Sequence, residues 1–265
     1  MNSINLTNTL GAFIIRGIDS KVFLQGQLTN DINLLDNEDY QYSAYLNNKG
    51  RMFASFLIKK ASENEYYFIT TLPLLDKIIT RLKMYVLRAK VEIEKLNLNI
   101  IFTNNTKHDT GIKFKLPHHH YIYLTDENLD NSNTSMWKEF LINNGIPLIY
   151  PETQEQLIPQ HVNFDELKGL NFKKGCYIGQ EIVARMHYLG KSKRKMYRFL
   201  LDHEAKIGQI ILSPKLNNQE IGTIIDITKR GKNYIGLVSL QNDCIEDAYL
   251  DLANQEQLLT QKIEY

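Results

Sequence analysis

One short segment of the 265-residue chain, residues 173–185, brings together side chains with chemical potential. Cys176 follows Lys174 and Gly175, and a Gly-Gln-Glu step at residues 179–181 opens a run of helical character. An adjacent ammonium group and the amide groups at the start of a helix both favour the thiolate form of a cysteine. Glycines allow a sharp turn and a close approach of a ligand to the backbone. The segment therefore predicts a reactive thiol on a loop that leads into a helix.

Several roles are open for this thiol. Cys176 is a candidate nucleophile, a candidate transient ligand of a metal or an iron–sulfur cluster, and a candidate redox sensor. The alternative is a small packed residue, because free cysteines are among the residue types that are most often buried. One protein thiol supplies only one ligand of a cluster, so a partner would supply the others. Cys244 lies near the start of a predicted strand and is interpreted as structural.

The composition is that of an ordinary globular protein, with 43% hydrophobic residues, 23% charged residues and a formal net charge of +1. This balance disfavours a strongly basic nucleic-acid-binding protein, although the charged run at residues 191–195 leaves a weak contact with tRNA or a partner open. Residues 1–16 lack a basic start followed by an apolar core, and no run of about eighteen apolar residues occurs. We expect no signal peptide, no membrane span, a cytoplasmic location and two reduced cysteines.

Apolar periodicity and turn residues predict an α+β fold. Strands are expected at residues 12–16, 40–46, 52–58, 66–70, 91–93, 98–102 and 121–124. Helices are expected at residues 20–28, 73–87 and 135–143, and from residue 180 through residue 185. The turn at residues 47–50 is expected to join two strands as a hairpin. Residues 151–174 are irregular, and polar side chains there, such as Gln154, Gln160 and Asn163, suit a ligand cleft.

The last third of the chain shows short strand patterns separated by turn residues. They are expected at residues 195–201, 207–212, 220–228, 233–239, 245–251 and 258–263. This spacing indicates a small antiparallel barrel or sandwich. A polar hinge near residue 190 predicts two domains, residues 1–190 and residues 191–265. The three histidines at residues 118–120 are interpreted as a solvated loop, because adjacent histidines do not share a face well, and no metal site is predicted.

Several segments together resemble one protein family. Residues 173–185, with Lys-Gly-Cys-Tyr followed by Gly-Gln-Glu, are similar to the cysteine loop of the YgfZ family of folate-binding proteins, relatives of the glycine-cleavage T-protein. Other segments resemble that family at residues 17–31, 48–51, 83–91 and 145–163. The cysteine segment is highly specific, whereas the other segments are individually weak.

This resemblance implies a T-protein-like folate-binding fold of two intertwined α/β subdomains, followed by a C-terminal antiparallel β-barrel. It implies a central channel that binds tetrahydrofolate or a related reduced folate. It also implies a role in the assembly or repair of iron–sulfur clusters, including those of radical enzymes that modify tRNA. Client or assembly proteins of such clusters are then the expected partners.

The candidate site residues form two sets. Cys176 and Lys174 are the candidates for chemistry. Polar and aromatic residues are the candidates for contact with the folate: Asn30, Asp31, Lys49, Arg51, Trp137, Asn143, Tyr177, Gln180, Glu181 and Arg185. For Trp137 the alternative is core packing, although a flat ligand gains from an aromatic face. For Glu181 and Arg185 the alternative is a simple ion pair one helical turn apart.

Two departures from the T-protein pattern bear on the reaction. T-proteins carry an acidic pair just after the hairpin, and an aspartate there is tied to aminomethyl transfer. Ala54 and Ser55 stand at those positions here, and neither takes up a proton near pH 7. The glutamate with which T-proteins read the pterin corresponds to Asn143, an amide without charge. A folate-dependent one-carbon transferase therefore stays an alternative function, and a tRNA-binding module is a second alternative.

Overall fold

A computed structural model describes residues 3–105, 111–190, 192–251 and 256–265. Its contacts divide the chain into two compact units, named unit 1 and unit 2. Unit 1 comprises Met1–Tyr45, Ala54–Trp137 and Gly169–Ile178, and unit 2 comprises Leu46–Phe53, Lys138–Lys168 and Gly179–Tyr265. Neither unit is continuous in sequence. A compact unit differs from an independently folding domain, so the boundary between residues 190 and 191 stays a prediction.

The strands are numbered in chain order: β1 (Ser3–Asn5), β2 (Leu10–Arg16), β3 (Gln41–Leu46), β4 (Met52–Ser62), β5 (Glu65–Thr71), β6 (Glu92–Lys95), β7 (Asn99–Thr103), β8 (Ile112–Leu116), β9 (His120–Thr125), β10 (Arg194–Leu201), β11 (Ile210–Ser213), β12 (Gln219–Arg230), β13 (Asn233–Gln241), β14 (Tyr249–Asp251), β15 (Glu256–Gln257) and β16 (Leu259–Gln261). The helices are α1 (Ser20–Gln27), α2 (Leu75–Lys83), α3 (Ser135–Asn143) and α4 (Gln180–Leu189). No helix among the described residues is both long and apolar enough to cross a membrane.

A five-stranded sheet of order β3-β4-β5-β2-β6 carries the core of unit 1. Its strand β2 pairs antiparallel with β5 on one side and with β6 on the other, and its apolar run is buried almost throughout. Three aromatic rings meet there: Phe13 stacks on Phe68 at 4.7 Å, and Phe56 meets Phe68 edge-on at 5.4 Å. Such ring pairs add about 0.5–1.5 kcal/mol each to the burial of their surface. The predicted strands of this sheet are confirmed to within one to a few residues at their ends.

A four-stranded sheet of order β1-β7-β9-β8 also belongs to unit 1. Its strands β1 and β8 are absent from the sequence prediction, since three residues of β1 are too few to show a period. The histidine triplet lies at the start of β9. His118 and His119 are in the preceding turn with left-handed backbone angles, while His120 belongs to the strand and stacks on Phe102 at 5.2 Å.

Helix α2 is shorter than predicted. It ends at Lys83 instead of residue 87, and Pro73 lies in a separate 3₁₀ turn before it. The predicted apolar face is buried at Leu75, Ile78, Ile79 and Leu82, but Tyr85 lies beyond the helix and is exposed. After Lys83 the backbone bonds change to the tighter i−3 type, from Tyr85 to Leu82 and from Val86 to Lys83, and the left-handed φ of 47° at Leu87 prevents the helix from resuming. The other predicted helices are confirmed, and α4 continues to Leu189.

The C-terminal strands form a nearly closed seven-stranded antiparallel barrel in unit 2, of order β15-β14-β11-β12-β13-β10-β16. Its interior is apolar, and Ile211, Ile224 and Val238 are fully buried. The strand predicted at residues 245–251 is wrong in its first half, because residues 242–247 form 3₁₀ turns and only Tyr249–Asp251 are strand. Cys244 packs in this interior, which confirms its structural role.

Candidate functional site

The loop around Cys176 is fastened to the segment that follows α1. Lys174 Nζ donates hydrogen bonds to the carbonyl oxygens of Leu28 at 2.6 Å and Asn30 at 2.8 Å. The Thr29 hydroxyl donates to the Gly169 carbonyl at 2.7 Å, and the Asn171 amide donates to the Thr29 carbonyl at 3.0 Å. These bonds join residues about 140 positions apart in sequence. They therefore fix a loop without regular secondary structure against the body of unit 1.

The side chain of Lys174 is the central cation of this loop. The residue is only 8% exposed, and this burial lowers the pKa of its ammonium group to about 8, while the charge of Asp31 acts in the opposite direction. Its Nζ lies 5.2 Å from the ring centroid of Tyr177, within the range of a cation–π contact. Burial also raises the pKa of the Tyr177 hydroxyl to about 12. The ammonium group thus has a structural part, since two of its three N–H donors bind backbone carbonyls.

Cys176 itself is exposed on this loop. A methyl group added to the neighbouring Gly175 would meet nothing within 4 Å, so the space around the thiol is open. The access that the predicted chemistry requires is therefore present. The thiolate character of Cys176 stays a prediction.

The hairpin turn and the start of α4 contact each other within unit 2. Gly179 precedes α4 with a φ of 78°, and a side chain there would bring its Cβ within 2.4 Å of the Asn47 carbonyl oxygen. Gly50 has a φ of 69°, and its added Cβ would lie 2.7 Å from the Cβ of Ile182. Glycine is needed at both positions for backbone angle and for space. Two sequence motifs that are about 130 residues apart, 47–50 and 179–182, thus form one packed junction.

The hairpin turn is organised by one amide side chain. Asn47 Oδ1 accepts hydrogen bonds from the backbone amides of Lys49 and Arg51, and Asn47 Nδ2 donates to Glu155 at 2.9 Å. The Arg51 guanidinium donates to the Gln156 carbonyl at 2.7 Å. The Lys49 side chain is exposed. Of the two predicted folate contacts here, Arg51 is thus partly engaged by the protein.

The first turns of α4 present polar side chains to solvent. Gln180 is half-buried, whereas Glu181 and Arg185 are exposed. Both of these charged residues are described, and no ion pair joins them, so the simple alternative for this pair does not hold here. Their contact with folate stays a prediction.

Asn30 and Asp31 stabilise the segment after α1 to which Lys174 of the cysteine loop binds. Asn30 is buried, and its side-chain amide donates to the Tyr42 carbonyl while its Oδ1 accepts from the Asp31 amide. The Asp31 carboxylate accepts from the backbone and side chain of Asn33 and from Gln25. Partial burial alone would raise the pKa of Asp31, but these hydrogen bonds and the charge of Lys174 together lower it. Both residues therefore shape the backbone that Lys174 binds.

Trp137 and Asn143 lie on α3 and have different surroundings. Trp137 is 4% exposed and meets Phe102 edge-on at 5.0 Å, as expected of a core residue. Asn143, in unit 2, is exposed and lines a cleft of about 230 Å³ with two arginines, Arg198 and Arg230. The cleft has apolar walls that include Phe199, Leu200 and Leu259. An amide, two guanidinium groups and apolar walls can bind a flat polar ring or a carboxylate.

The polar residues expected to line a cleft at residues 151–174 bind the backbone instead. Gln154 donates to the Phe53 carbonyl at 3.0 Å, and Gln160 donates to the Val183 carbonyl at 2.8 Å. The Asn163 amide exchanges hydrogen bonds with both backbone groups of Met196. The expected ligand cleft is therefore not formed by these three side chains, because buried backbone groups next to an irregular segment need side-chain partners.

Unit 2 holds a buried charged network that the sequence pattern does not predict. A bulge in β12 between Ile224 and Asp226 accompanies full burial of the Asp226 side chain. Its carboxylate accepts hydrogen bonds from Lys138 Nζ and from the Tyr150 hydroxyl, both at 2.9 Å. Burial and the Asp226 charge raise the pKa of Tyr150 well above its ordinary value. The strand pattern of β12 contains no signal that this aspartate points inward.

A second missed residue is His161. It is half-buried, and this burial, followed by the charges of Arg194 and Arg51, lowers the pKa of its imidazole to about 4. The ring is therefore neutral at physiological pH. Among the described residues, no group of three His, Cys, Asp or Glu side chains is arranged to hold a metal ion.

The chain is similar to several known proteins along most of its length. An uncharacterised protein from Haemophilus influenzae is 30% identical over 259 residues, which cover 92% of this chain and 91% of that protein. A protein from Buchnera aphidicola named tRNA-modifying protein YgfZ is 30% identical over 276 residues, which cover 88% of this chain and 82% of that protein. A protein of the same name from Yersinia pseudotuberculosis is 32% identical over 219 residues, which cover 69% of this chain and 66% of that protein. No family model matches the chain.

The fold has a counterpart among solved structures. The crystal structure of the glycine cleavage system aminomethyltransferase T from Bartonella henselae superposes with a TM-score of 0.74 and covers 97% of this chain and 83% of its own. The identity is 10%, so the likeness concerns the fold alone. It confirms the predicted fold class, a mixed α/β body with an antiparallel C-terminal barrel.

Proposed function

Because this chain belongs to the YgfZ family, we propose that it binds a reduced folate and supports the assembly or repair of iron–sulfur clusters, including those of tRNA-modifying radical enzymes. The name tRNA-modifying protein, which its relatives carry, and the aminomethyltransferase fold support this proposal. The observation that carries it is the exposed Cys176 on a loop that the buried Lys174 fastens in place.

The thiol is proposed to hold a cluster or its iron in transit. Iron–sulfur clusters are held by thiolates, and four are needed for most of them. Cys176 would supply one thiolate, and the client or scaffold protein would supply the rest. Because the loop is exposed, a second protein can approach Sγ without displacing the core. Lys174 is proposed as a positioning residue, which keeps the loop at residues 169–178 bound to residues 28–30.

The folate is proposed to lie with its pterin end near Asn143. The cleft of about 230 Å³ accommodates a bicyclic ring but is smaller than the pockets of about 300–1,000 Å³ that enclose whole drug-sized ligands. The Asn143 amide would hydrogen-bond the pterin edge, and Arg198 or Arg230 would donate to the ring carbonyl or a ring nitrogen of the pterin, while the glutamate tail would extend out of the cleft. When bound, a reduced folate supplies a carrier for one-carbon units.

Aminomethyl transfer is not favoured by the residues at the hairpin strand. Ala54 and Ser55 lie on β4 and are buried, and the Ser55 carbonyl accepts a hydrogen bond from the Thr70 hydroxyl. Neither side chain carries a carboxylate that orients an amine or takes up a proton. Direct tRNA binding through the charged run at residues 191–195, whose first residue lies outside the described residues, is also not favoured, because Lys195 is ion-paired with Glu166.

The test of the thiol role is complementation of a strain that lacks the protein. Cells carrying Cys176→Ala are expected to lose activity of iron–sulfur enzymes and the corresponding tRNA modifications. Cells carrying Lys173→Ala, which changes an exposed neighbour on the same loop, are expected to retain both. Full activity with Cys176→Ala, at equal protein levels, would exclude the thiol from the function.

The folate part has its own test. Calorimetric titration with tetrahydrofolate is expected to show binding to the parent protein. We expect Asn143→Ala to weaken it by about tenfold, the equivalent of about 1.4 kcal/mol. Glu220→Ala, an exposed change on β12, serves as the control. Absence of any binding to the parent protein would remove the folate from the proposal and leave the thiol role standing.

A further inference from the structure

Unit 1 exposes a group of large apolar side chains that no part of the described chain covers. Met84 is 70% exposed, Leu87 is 87% exposed and Tyr85 is 40% exposed, all in the turns that follow α2. Ile18, just before α1, is 69% exposed. We name these four residues the apolar patch. Single exposed apolar residues are common, but a group of this kind marks an interaction surface.

The two segments of the apolar patch are joined by direct contacts. Asp19 Oδ2 accepts a hydrogen bond from the Lys90 amide at 2.7 Å. A Cβ on Gly17 would lie 2.1 Å from the Lys90 carbonyl oxygen, so the two backbones touch. Ile18 and Lys90 also line one open cleft of about 650 Å³. The segments at residues 17–19 and 89–91 therefore lie in contact, and the chain from Leu87 leads directly into this contact.

Leu87 is the most informative member of the apolar patch. Its φ of 47° lies in the left-handed region, which a leucine rarely adopts. Its side chain is also almost fully in water, so burial on folding does not explain why a leucine stands there. Glycine or asparagine would suit this backbone better. An apolar side chain held outward in a disfavoured conformation indicates a contact that only a partner provides.

The rim of the apolar patch at residues 83–90 is cationic, while the nearby carboxylates of Asp19 and Glu92 are engaged by the Lys90 amide and by Arg16. Lys83, Arg88 and Lys90 are exposed, and no aspartate or glutamate occurs at residues 77–91. Among the described residues, none of these three cations forms an ion pair. Cations of this kind attract either phosphates or carboxylates. The centre of the surface favours carboxylates of a protein, because Met84, Leu87 and Ile18 are 69–87% exposed and pack well against apolar protein side chains, whereas Tyr85, the aromatic member of the patch, is only 40% exposed.

We propose that the apolar patch and its cationic rim dock an acidic amphipathic segment of another protein. Apolar side chains of that segment cover Met84 and Leu87, and its carboxylates pair with Lys83, Arg88 and Lys90. This interaction surface is separate from the residues on which the folate and thiol proposals depend, so either can fail alone.

The first test places a photo-crosslinking amino acid, p-benzoylphenylalanine, at position 87 of the full chain in living cells of its source. Position 189 is the matched control, because Leu189 is a leucine that is 79% exposed at the end of α4. We expect a protein adduct at position 87 that is absent at position 189, with the crosslinked peptide acidic and carrying apolar side chains. Adducts to RNA, adducts to a second copy of this chain, or equal adducts at both positions would overturn the proposal.

The second test measures affinity and stability together. A synthetic peptide with the crosslinked sequence is titrated against the parent chain, Leu87→Asn, Arg88→Glu and Leu189→Asn. Leu87→Asn and Arg88→Glu are expected to weaken binding by at least about tenfold, and Leu189→Asn is expected to leave it unchanged. Leu87→Asn is also expected to raise the melting temperature or leave it unchanged, because asparagine tolerates the left-handed backbone. Equal affinity for Leu87→Asn, or a large loss of its stability, would overturn the proposal.

Discussion

At the scale of single residues, Lys174 shows how a buried cation can be both costly and useful. Burial takes its ammonium group out of water, and the carbonyl oxygens of Leu28 and Asn30 replace only part of that hydration. Because the lost hydration is only partly replaced, the charged form is disfavoured, and the pKa of the Lys174 ammonium group falls to about 8. The benefit is positional, because one side chain closes a contact between segments that are about 145 residues apart.

Lys174→Met is expected to lower the free energy of unfolding by about 1–3 kcal/mol, because two buried carbonyl groups lose their charged donor. The measurement is urea unfolding, together with hydrogen exchange, which should show faster exchange at residues 28–31 and 169–178. Lys173→Met is the control, since Lys173 is exposed one position earlier and should change stability by less than about 0.5 kcal/mol. Equal effects of both substitutions would contradict a stabilising role for the hydrogen bonds of Lys174 to Leu28 and Asn30.

His161 gives the protein a specific sensitivity to acid. Its folded pKa of about 4 lies below the ordinary value of 6.5, so below pH 6.5 the unfolded chain takes up a proton that the folded chain resists. The free energy of unfolding is therefore expected to fall as the pH drops from 6.5 to 4, by at most about 3 kcal/mol from this group. Urea unfolding at several pH values measures the slope.

His161→Gln should flatten this acid slope, because glutamine does not titrate. His187→Gln is the matched control, since His187 is exposed on α4. An unchanged slope in the His161 variant would show that other groups cause the loss of stability in acid.

At the scale of elements, the junction between the hairpin turn and α4 explains why two distant motifs occur together in one chain. Gly50 and Gly179 allow the turn at residues 47–50 to touch the first turn of α4. Hydrogen bonds stabilise this hairpin turn, since Asn47 accepts from the Lys49 amide and donates to Glu155. A motif that looks catalytic in sequence thus includes glycines whose purpose is packing.

Gly179→Ala is expected to destabilise the protein by about 1–3 kcal/mol, because alanine at a φ of 78° is strained and its Cβ would lie 2.4 Å from a carbonyl oxygen. Gly175→Ala is the matched control in the same motif. It has open space and no left-handed φ, so its stability should be unchanged or slightly higher. Thermal unfolding compares the two, and a loss of equal size in both variants would count against the packing argument.

The elements also show where sequence patterns suffice. Helix α3 was predicted with its observed ends, because a polar cap region and Gly145 bracket its apolar run. The prediction for α2 ran to residue 87 because apolar spacing continues into turns, where Tyr85 and Leu87 point to solvent. Asp226 was missed for the opposite reason, since its burial follows from a bulge and from Lys138 far away in sequence. The local spacing of apolar residues predicts helices and strands. Contacts between segments that are distant in sequence decide which polar side chains are bound within the protein and which face solvent.

At the scale of the whole molecule, the barrel depends on upstream chain. Asn163 binds both backbone groups of Met196 on β10, and the Ser239 hydroxyl on β13 donates to the His161 carbonyl. The predicted domain of residues 191–265 lacks these partners. Unit 2 includes them because it gathers Lys138–Lys168 with the barrel strands.

A fragment of residues 138–265 is therefore expected to be more stable than a fragment of residues 191–265, because the shorter fragment leaves the β10 backbone at Met196 without its amide partner. Thermal unfolding and amide chemical-shift dispersion of both fragments measure the difference. Equal stability of the two fragments would instead uphold an independent domain that begins at residue 191.

The two cysteines differ in exposure, and this difference allows folded and unfolded molecules to be distinguished by thiol labelling. Cys176 is exposed, whereas Cys244 lies inside the barrel. A maleimide reagent should thus attach once to each intact molecule and twice to each denatured one. The mass of the labelled chain then reports the fraction of molecules that have opened, with no fluorophore or tag added to the protein.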